Sequence, residues 1–371
     1  VGVYTDMGVH GCHHPYTGSW PYYHQDARDF ADWGIDYVKF DYCGPPAGYT
    51  PAGLTANFSM ALESSGRPIW LNFHCNWLTF EDDRCAQLGN SFRIAPDHVD
   101  AWYSTIKTSK ALINRKPWWG PGAYPDPDFV FTAGEGCGIH SSPGKRCPGQ
   151  SKAEYRSEFY LNAMASGQIL FASDPRNMSA LQKDLWLNKE VLAVFRDTSG
   201  LDRVAMVSNY SLPLPQKGCN VTLTKQLSHG NCVRGVNYGC SQSGDGKIWT
   251  FGGCRGLFTC YGTPNVNCES AGSSYPSRNN VTCSCAPEAP QVWIRPLQSK
   301  EQAAVLMFNA GDTSTDVTVS FSQVPGWHSS TKAHVRDIGS HADLGIFTKN
   351  YTSKNLLPHS SLFFKLTRRE E

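Results

Sequence analysis

Short runs rich in β-branched and aromatic residues alternate with helix-patterned stretches over roughly the first 200 residues, and this rhythm constrains the fold more than any other feature. It predicts six strands, Val1–Asp6, Tyr37–Asp41, Ile69–His74, Phe92–Ala95, Asp128–Thr132 and Ile169–Ser173. Helices between them make the strands parallel, because parallel neighbours need long crossover connections. His24–Trp33 carries Ala27, Phe30 and Ala31 at helical spacing and stops at Gly34, whose missing Cβ suits a left-handed cap. A second helix is expected over 151–168, where Ser151 and Glu154 stand three apart in a capping box.

The rest of the 371-residue chain reads differently. Residues 201–290 hold eight of the fourteen cysteines among Gly, Ser and Asn, with little periodicity and too few aliphatic side chains for a core of their own. About four disulfides would have to supply that stability. From 291 to 371, short strands Val292–Ile294, Ala304–Asn309, Asp316–Phe321, Ala333–Arg336 and Ser361–Leu366 predict an antiparallel sandwich. Three regions follow: 1–200, 201–290 and 291–371.

Charge and cysteine usage narrow the function. Lys plus Arg total 33 against 32 Asp plus Glu, a net charge of +1, which leaves no field to attract nucleic acid. No run of about 18 apolar residues is present to cross a bilayer. The cysteines lack paired C-x2-C zinc spacing, so disulfides account for them better. N-glycosylation sequons at Asn57, Asn177, Asn209, Asn220, Asn280 and Asn350 point to the same oxidising route. A secreted, lysosomal or vacuolar destination is expected, with a signal peptide upstream of Val1.

Chemistry in a βα sheet gathers at the carboxyl ends of its strands. Alternation along Tyr37–Asp41 puts Lys39 and Asp41 on one face, and Tyr4 and Asp6 share a face on the first strand. A structural ion pair is the other reading of Lys39 and Asp41. Asp97 follows Arg93 after the fourth strand, where it is either a functional carboxylate or a helix N-cap. Asp126 and Asp128 flank Pro127 at the fifth, with one of the two expected to point inward. With Trp20, Tyr22, Trp77, Trp118 and Trp119 interleaved, these carboxylates describe a site that cleaves an acetal in a polyhydroxylated ring. His10, His13, His14 and His24 lack the spacing of metal ligands, so no metal and no cofactor is expected.

The runs Val3-Tyr4-Thr5-Asp6-Met7-Gly8 and Asp26 to Cys43, then Asp126-Pro127-Asp128, Phe171 to Arg176, Asn188 to Val194 and Val292 to Leu297, occur in one order. In that order they resemble glycoside hydrolase family 27, the α-galactosidases and α-N-acetylgalactosaminidases. The resemblance covers 1 to about 200 and 291–371. It implies a (β/α)8 TIM barrel followed by an antiparallel β domain, and retaining hydrolysis of terminal α-galactosides in oligosaccharides, glycolipids or glycoproteins. Asp41 falls on the nucleophile and Asp97 on the acid/base. Their carboxyl groups should then stand about 5–5.5 Å apart, with the pKa of Asp97 raised relative to that of Asp41. Tyr4, Lys39, Cys43, Asn76, Arg93 and Asp128 fall on positions that hold the sugar or the nucleophile. Cys12 with Cys43 and Cys75 with Cys85 match the family's barrel disulfides, and loop closure suggests Cys137 with Cys147. A homodimer is compatible with the family.

Three departures qualify the match. The family's first two βα units, and a strand end carrying Trp and two consecutive Asp, are not in this sequence, so it reads as amino-terminally incomplete. Asn76 and Thr79 fit neither the galactose-selective nor the N-acetylgalactosamine-selective pattern, which keeps an α-N-acetylgalactosaminidase as an alternative. The 201–290 insert resembles small extracellular cysteine-rich modules, some of them carbohydrate-binding, or serves as a spacer. A non-catalytic carbohydrate-binding relative is the reading from another class.

Overall fold

The structure is a computed structural model describing residues 1–12, 16–75, 85–115, 119–131, 149–207, 220–228, 230–241, 246–270 and 280–369. Strands β1 (Gly2–Asp6), β2 (Tyr37–Asp41), β3 (Trp70–His74), β4 (Ser91–Arg93) and β5 (Tyr124–Asp126) form a parallel sheet in chain order. A further parallel pair joins β6 (Phe129–Val130) to β7 (Leu170–Phe171). Between and after them run α1 (Tyr23–Asp32), α2 (Pro51–Ser64), α3 (Cys85–Leu88), α4 (Trp102–Arg115), α5 (Lys152–Ala165), α6 (Ala180–Trp186) and α7 (Lys189–Arg196). Two of the long helices, α2 and α5, start where a side chain satisfies their free N–H groups. Thr50 accepts from Gly53 N ahead of Pro51 at α2, and Ser151 and Glu154 close the expected capping box at α5.

Period-two alternation divides the strands' side chains. Val38, Phe40, Leu71, Phe73 and Phe92 face the helices and are buried, with Phe40 stacked on Phe58 of α2 at 4.2 Å. Each such Phe contributes about 1.5–3 kcal/mol of burial free energy. The other face carries Tyr4, Lys39, Asn72 and Ser91 in one register row, and Asp41, His74, Arg93 and Asp126 at the strand ends above it. Below them Trp70 stacks on Tyr124 at 5.4 Å and donates to Ser91 Oγ at 2.8 Å, which floors the interior.

Among the described residues seven strands stand where six were expected, because Tyr124–Asp126 is itself a strand. Pro125 hides it in the sequence, but the ladder bonds fall on its neighbours, Tyr124 N to Asn90 O and Ile94 N to Asp126 O. The missing N–H of Pro125 therefore costs nothing. Asp128 does not open the next strand as expected; it is a turn residue in the left-handed region (φ 79°), and β6 begins at Phe129.

Downstream, β8 (Ala205–Val207) precedes six strands among the described residues of the cysteine-rich stretch, whose low periodicity assigns no elements: β9 (Val221–Gln226), β10 (Tyr238–Cys240), β11 (Lys247–Phe251), β12 (Arg255–Cys260), β13 (Thr263–Glu269) and β14 (Asn280–Ser284). They make two three-stranded sheets joined by disulfides Cys232–Cys254, Cys260–Cys285 and Cys268–Cys283. The half-cystines pack with Val221, Ile248 and Phe258 as a small core. Next come β15 (Gln291–Pro296), β16 (Gln302–Phe308), β17 (Thr315–Ser320), β18 (Lys332–Asp337), β19 (Ala342–Thr348), β20 (Asn350–Leu356) and β21 (Ser361–Arg369). A six-stranded sheet, β19-β18-β21-β16-β15-β8, faces the pair β17-β20 across Val305, Val317, Val319, Val335 and Phe364. Strands β19 and β20 were not foreseen, and β8 joins this sheet by pairing with β15 before the chain enters the cysteine-rich stretch.

Candidate active site

The carboxylate of Asp41, at the end of β2, is held from three directions. Tyr4 Oη donates to Oδ2 at 2.6 Å, the Tyr42 amide donates to Oδ1 at 2.7 Å, and His74 Nε2 lies 2.8 Å from Oδ1. Burial alone would raise this carboxyl's pKa. The His74 hydrogen bond, the Lys39 charge and the Tyr4 hydroxyl outweigh it and hold the group well below the usual carboxylate range. Burial and the Lys39 charge push His74 down to about 4, so at neutral pH it meets Asp41 as a neutral imidazole. Asp6, opposite Asp41 in the register, is buried and its carboxyl is pushed up by burial and by the Asp41 charge.

Lys39 supplies the cation of this layer. Its Nζ is buried without a hydrogen-bond partner among the described residues, and burial together with the Arg93 charge lowers its pKa to about 8. An ammonium left unpaired in a core is expensive, and three free donors aimed into the interior suit a hydroxyl-rich ligand.

Arg93 organises the other side. Its Nη2 lies 2.8 Å from Asp128 Oδ2 and 3.1 Å from Asp97 Oδ1, and Asp128 Oδ2 also accepts from the His98 amide at 2.8 Å. Burial opposes the guanidinium charge, but Asp128, Asp126 and Asp97 together raise its pKa. Asp126 is tied down by Asn72 Nδ2 at 2.8 Å, by Gln168 Nε2 at 2.7 Å and by the Asp128 amide at 2.8 Å. The side chain of Asp97 is 59 % exposed. It stands five residues before α4 begins, too far away to cap that helix.

Tyr4, Lys39 and Asp41 therefore form one group, and Arg93, Asp97 and Asp128 another. The ends of β2 and β4 lie two strand spacings apart, ~10 Å, with His74 of β3 between them. Cys43 is tied to Cys12 in a disulfide that joins the segments after β1 and β2, and Cys75 is tied to Cys85. Asn76 and the pair Cys137–Cys147 lie outside the described residues. The cluster Asp6, Cys12 and Cys43 gathers metal-ligand types within 4.8 Å, but the disulfide takes both thiolates. Sequence reasoning missed His74 and Asn72 as site members, and where it expected one of Asp126 and Asp128 to point inward, both are buried. The signal was available, since Asn72 and His74 alternate along β3 as Lys39 and Asp41 do along β2.

A parallel sheet that gathers carboxylates, a buried lysine and a buried arginine at its strand ends, followed by an antiparallel sandwich, is an arrangement suited to glycoside hydrolysis on a TIM-barrel scaffold. Residues 1–197 match the family described as alpha galactosidase A, and 288–366 match the alpha galactosidase C-terminal beta sandwich domain. The chain belongs to this α-galactosidase family, glycoside hydrolase family 27. It is similar to Alpha-galactosidase 2 of Arabidopsis thaliana, 26 % identical over the whole of this chain and 69 % of the relative. It is also similar to an alpha-galactosidase of Oryza sativa subsp. japonica, 34 % identical over 57 % of this chain and 48 % of the relative. The chain thus spans about half the length of the rice protein. Among solved structures, alpha-galactosidase I of Mortierella vinacea shares the fold with a TM-score of 0.64 at 20 % identity, covering 98 % of this chain and 76 % of that one.

Proposed function

We propose that this protein is a retaining α-galactosidase in which Asp41 is the nucleophile and Asp97 the acid/base. The observation that carries the reading is the state of Asp41, an ionised carboxylate oriented by Tyr4, Tyr42 and His74 beside an unpartnered buried ammonium. A low pKa keeps it anionic, and its donors hold its orientation on the face of β2 that also carries Lys39.

In the first step an Asp41 oxygen bonds to the anomeric carbon while the bond to the leaving oxygen breaks, and Asp97 gives that oxygen its proton. In the second, water bonds to the same carbon and yields a proton to Asp97 as the ester to Asp41 breaks. Two inversions return the α configuration. Lys39 and Arg93 hold hydroxyls of the sugar, and Asp128 fixes Arg93. The names printed for the relatives support galactose as the sugar. Passage through an oxidising, glycosylating compartment is supported by the disulfides and by the exposure of Asn57, Asn177, Asn220, Asn280 and Asn350.

The test is to trap the ester with a fluorinated galactosyl fluoride and map it by peptide mass spectrometry. A galactosyl adduct on the peptide bearing Asp41, absent in Asp41→Asn together with turnover, is the expected result. An adduct elsewhere, or an active Asp41→Asn, overturns the assignment. Rates on aryl α-galactosides against aryl α-N-acetylgalactosaminides decide the substituent at C2.

A further inference from the structure

The segment between β4 and α4 has no ladder to hold it beyond Ile94, yet it carries Asp97, whose carboxylate must keep its direction to serve as a proton donor. Its neighbours are fastened from behind. The imidazole of His98 is buried, with Nε2 2.7 Å from Glu158 Oε1 on α5 and Nδ1 2.7 Å from Ser104 Oγ on α4. Two residues on, Asp100 accepts from Tyr155 Oη at 2.8 Å. Tyr155 and Glu158 are three apart on α5 and so share a face. One helix thereby grips 98 and 100 while Asp97 stays exposed.

A further contact joins the ring to the backbone beyond it: Ser104 Oγ, which meets His98 Nδ1, also accepts from the Val99 amide at 3.1 Å. Glu158 is buried as well, and it also accepts from the Phe131 amide at the end of β6. A buried polar chain with its partners in place fixes direction as an apolar pair filling the same volume cannot.

We propose that His98, Glu158 and Ser104 are positioning residues for Asp97. They lock the 97–100 backbone so that the His98 amide meets Asp128 Oδ2 and the Asp97 carboxylate meets Arg93, closing a ring through Arg93, Asp97, His98 and Asp128. The proposal rests on the reading of Asp97 as the acid/base.

The experiment measures kcat/KM of the intact protein on two α-galactosides, one with a dinitrophenol leaving group that needs little protonation and one with an alkyl alcohol that needs it fully. Asp97→Asn serves as the reference and should lose activity mainly on the alkyl substrate. Equal rates on both for that variant refute the acid/base reading and the positioning role with it. Given the reference behaviour, His98→Leu should lose about 10- to 100-fold on the alkyl substrate and under about 3-fold on the dinitrophenyl one. Glu158→Gln, which keeps a hydrogen-bonding partner for His98 Nε2, should stay within about 3-fold of the parent on both. Ser104→Ala, a smaller perturbation for the case in which His98→Leu does not fold, should show the same selectivity at about 3- to 10-fold. Losses that are equal on the two substrates, with Asp97→Asn still selective, overturn the positioning role and leave the acid/base reading standing.

Discussion

Two arginines are buried among the described residues, and their surroundings differ in kind. Arg93, at the mouth of the parallel sheet, faces carboxylates, and its pKa is driven up by them against burial. Arg295, on β15, lies in the seam between the sandwich and the helices, where Nη1 donates to Met164 O at 2.8 Å and to Ser166 Oγ, and Nη2 donates to Val194 O. Burial there lowers its pKa to about 10. Met164 and Val194 are in the last turns of α5 and α7, so the guanidinium satisfies helix-end carbonyls and the negative ends of two helix dipoles. One arginine gathers carboxylates at the strand ends, and the other joins two folded layers. Burial of a charge therefore does not mark function by itself; its partners do.

The comparison breaks first at the seam. Arg295→Met should lower unfolding stability by about 3 kcal/mol in urea, because the buried Met164 carbonyl loses its side-chain donor and the Val194 carbonyl keeps only the Asp197 amide. Activity per folded molecule should stay within about 2-fold, since nothing in the mouth touches it. A seam variant that loses activity without losing stability would erase the distinction.

At the mouth the signs reverse. Lys39→Met should cost about 100-fold in kcat/KM, roughly 2.7 kcal/mol, while leaving stability unchanged or about 1 kcal/mol higher. The folded state depresses the lysine's pKa to about 8, so its charged form is disfavoured by folding at pH 7, and removing the charge relieves that cost. The parent enzyme should also show an alkaline limb near pH 8, absent in the variant, in a pH–rate profile.

The smallest effect belongs to a second seam contact. His359 lies between Glu154 Oε1 at 2.7 Å and Asp312 Oδ1 at 3.0 Å, stacked on Trp102 at 4.4 Å. Burial opposes its charge, but the two carboxylates raise its pKa overall. A raised folded value contributes stability in full below the unfolded pKa of about 6.5, lost as pH climbs through the folded value. His359→Gln should thus cost about 1 kcal/mol at pH 5 and nearly nothing at pH 8, read by thermal melts at both.

Much of the mouth was legible beforehand because strand alternation is local. Lys39 and Asp41 occupy one face of a five-residue strand whatever surrounds it, and the capping box at Ser151 reads directly from residues three apart. The strand at Tyr124–Asp126 was hidden because Pro125 reads as a break until its neighbours' ladder bonds are seen. The six strands of the cysteine-rich stretch were hidden because half-cystines, not aliphatic side chains, form much of their core. The N-cap reading of Asp97 stayed open until the start of α4 at Trp102 closed it.

Family, layer order and the carboxylate-bearing strand ends were determined by the chain's own pattern, since periodicity and short motifs need no distant partner. Only the tertiary structure decided that His74 leans on Asp41, that Lys39 Nζ has no hydrogen-bond partner among the described residues, and that His98 is fastened to a glutamate 60 residues away. Those facts depend on register across strands and on how helices close over loops. Packing of the whole chain sets both, and no local run of residues contains them.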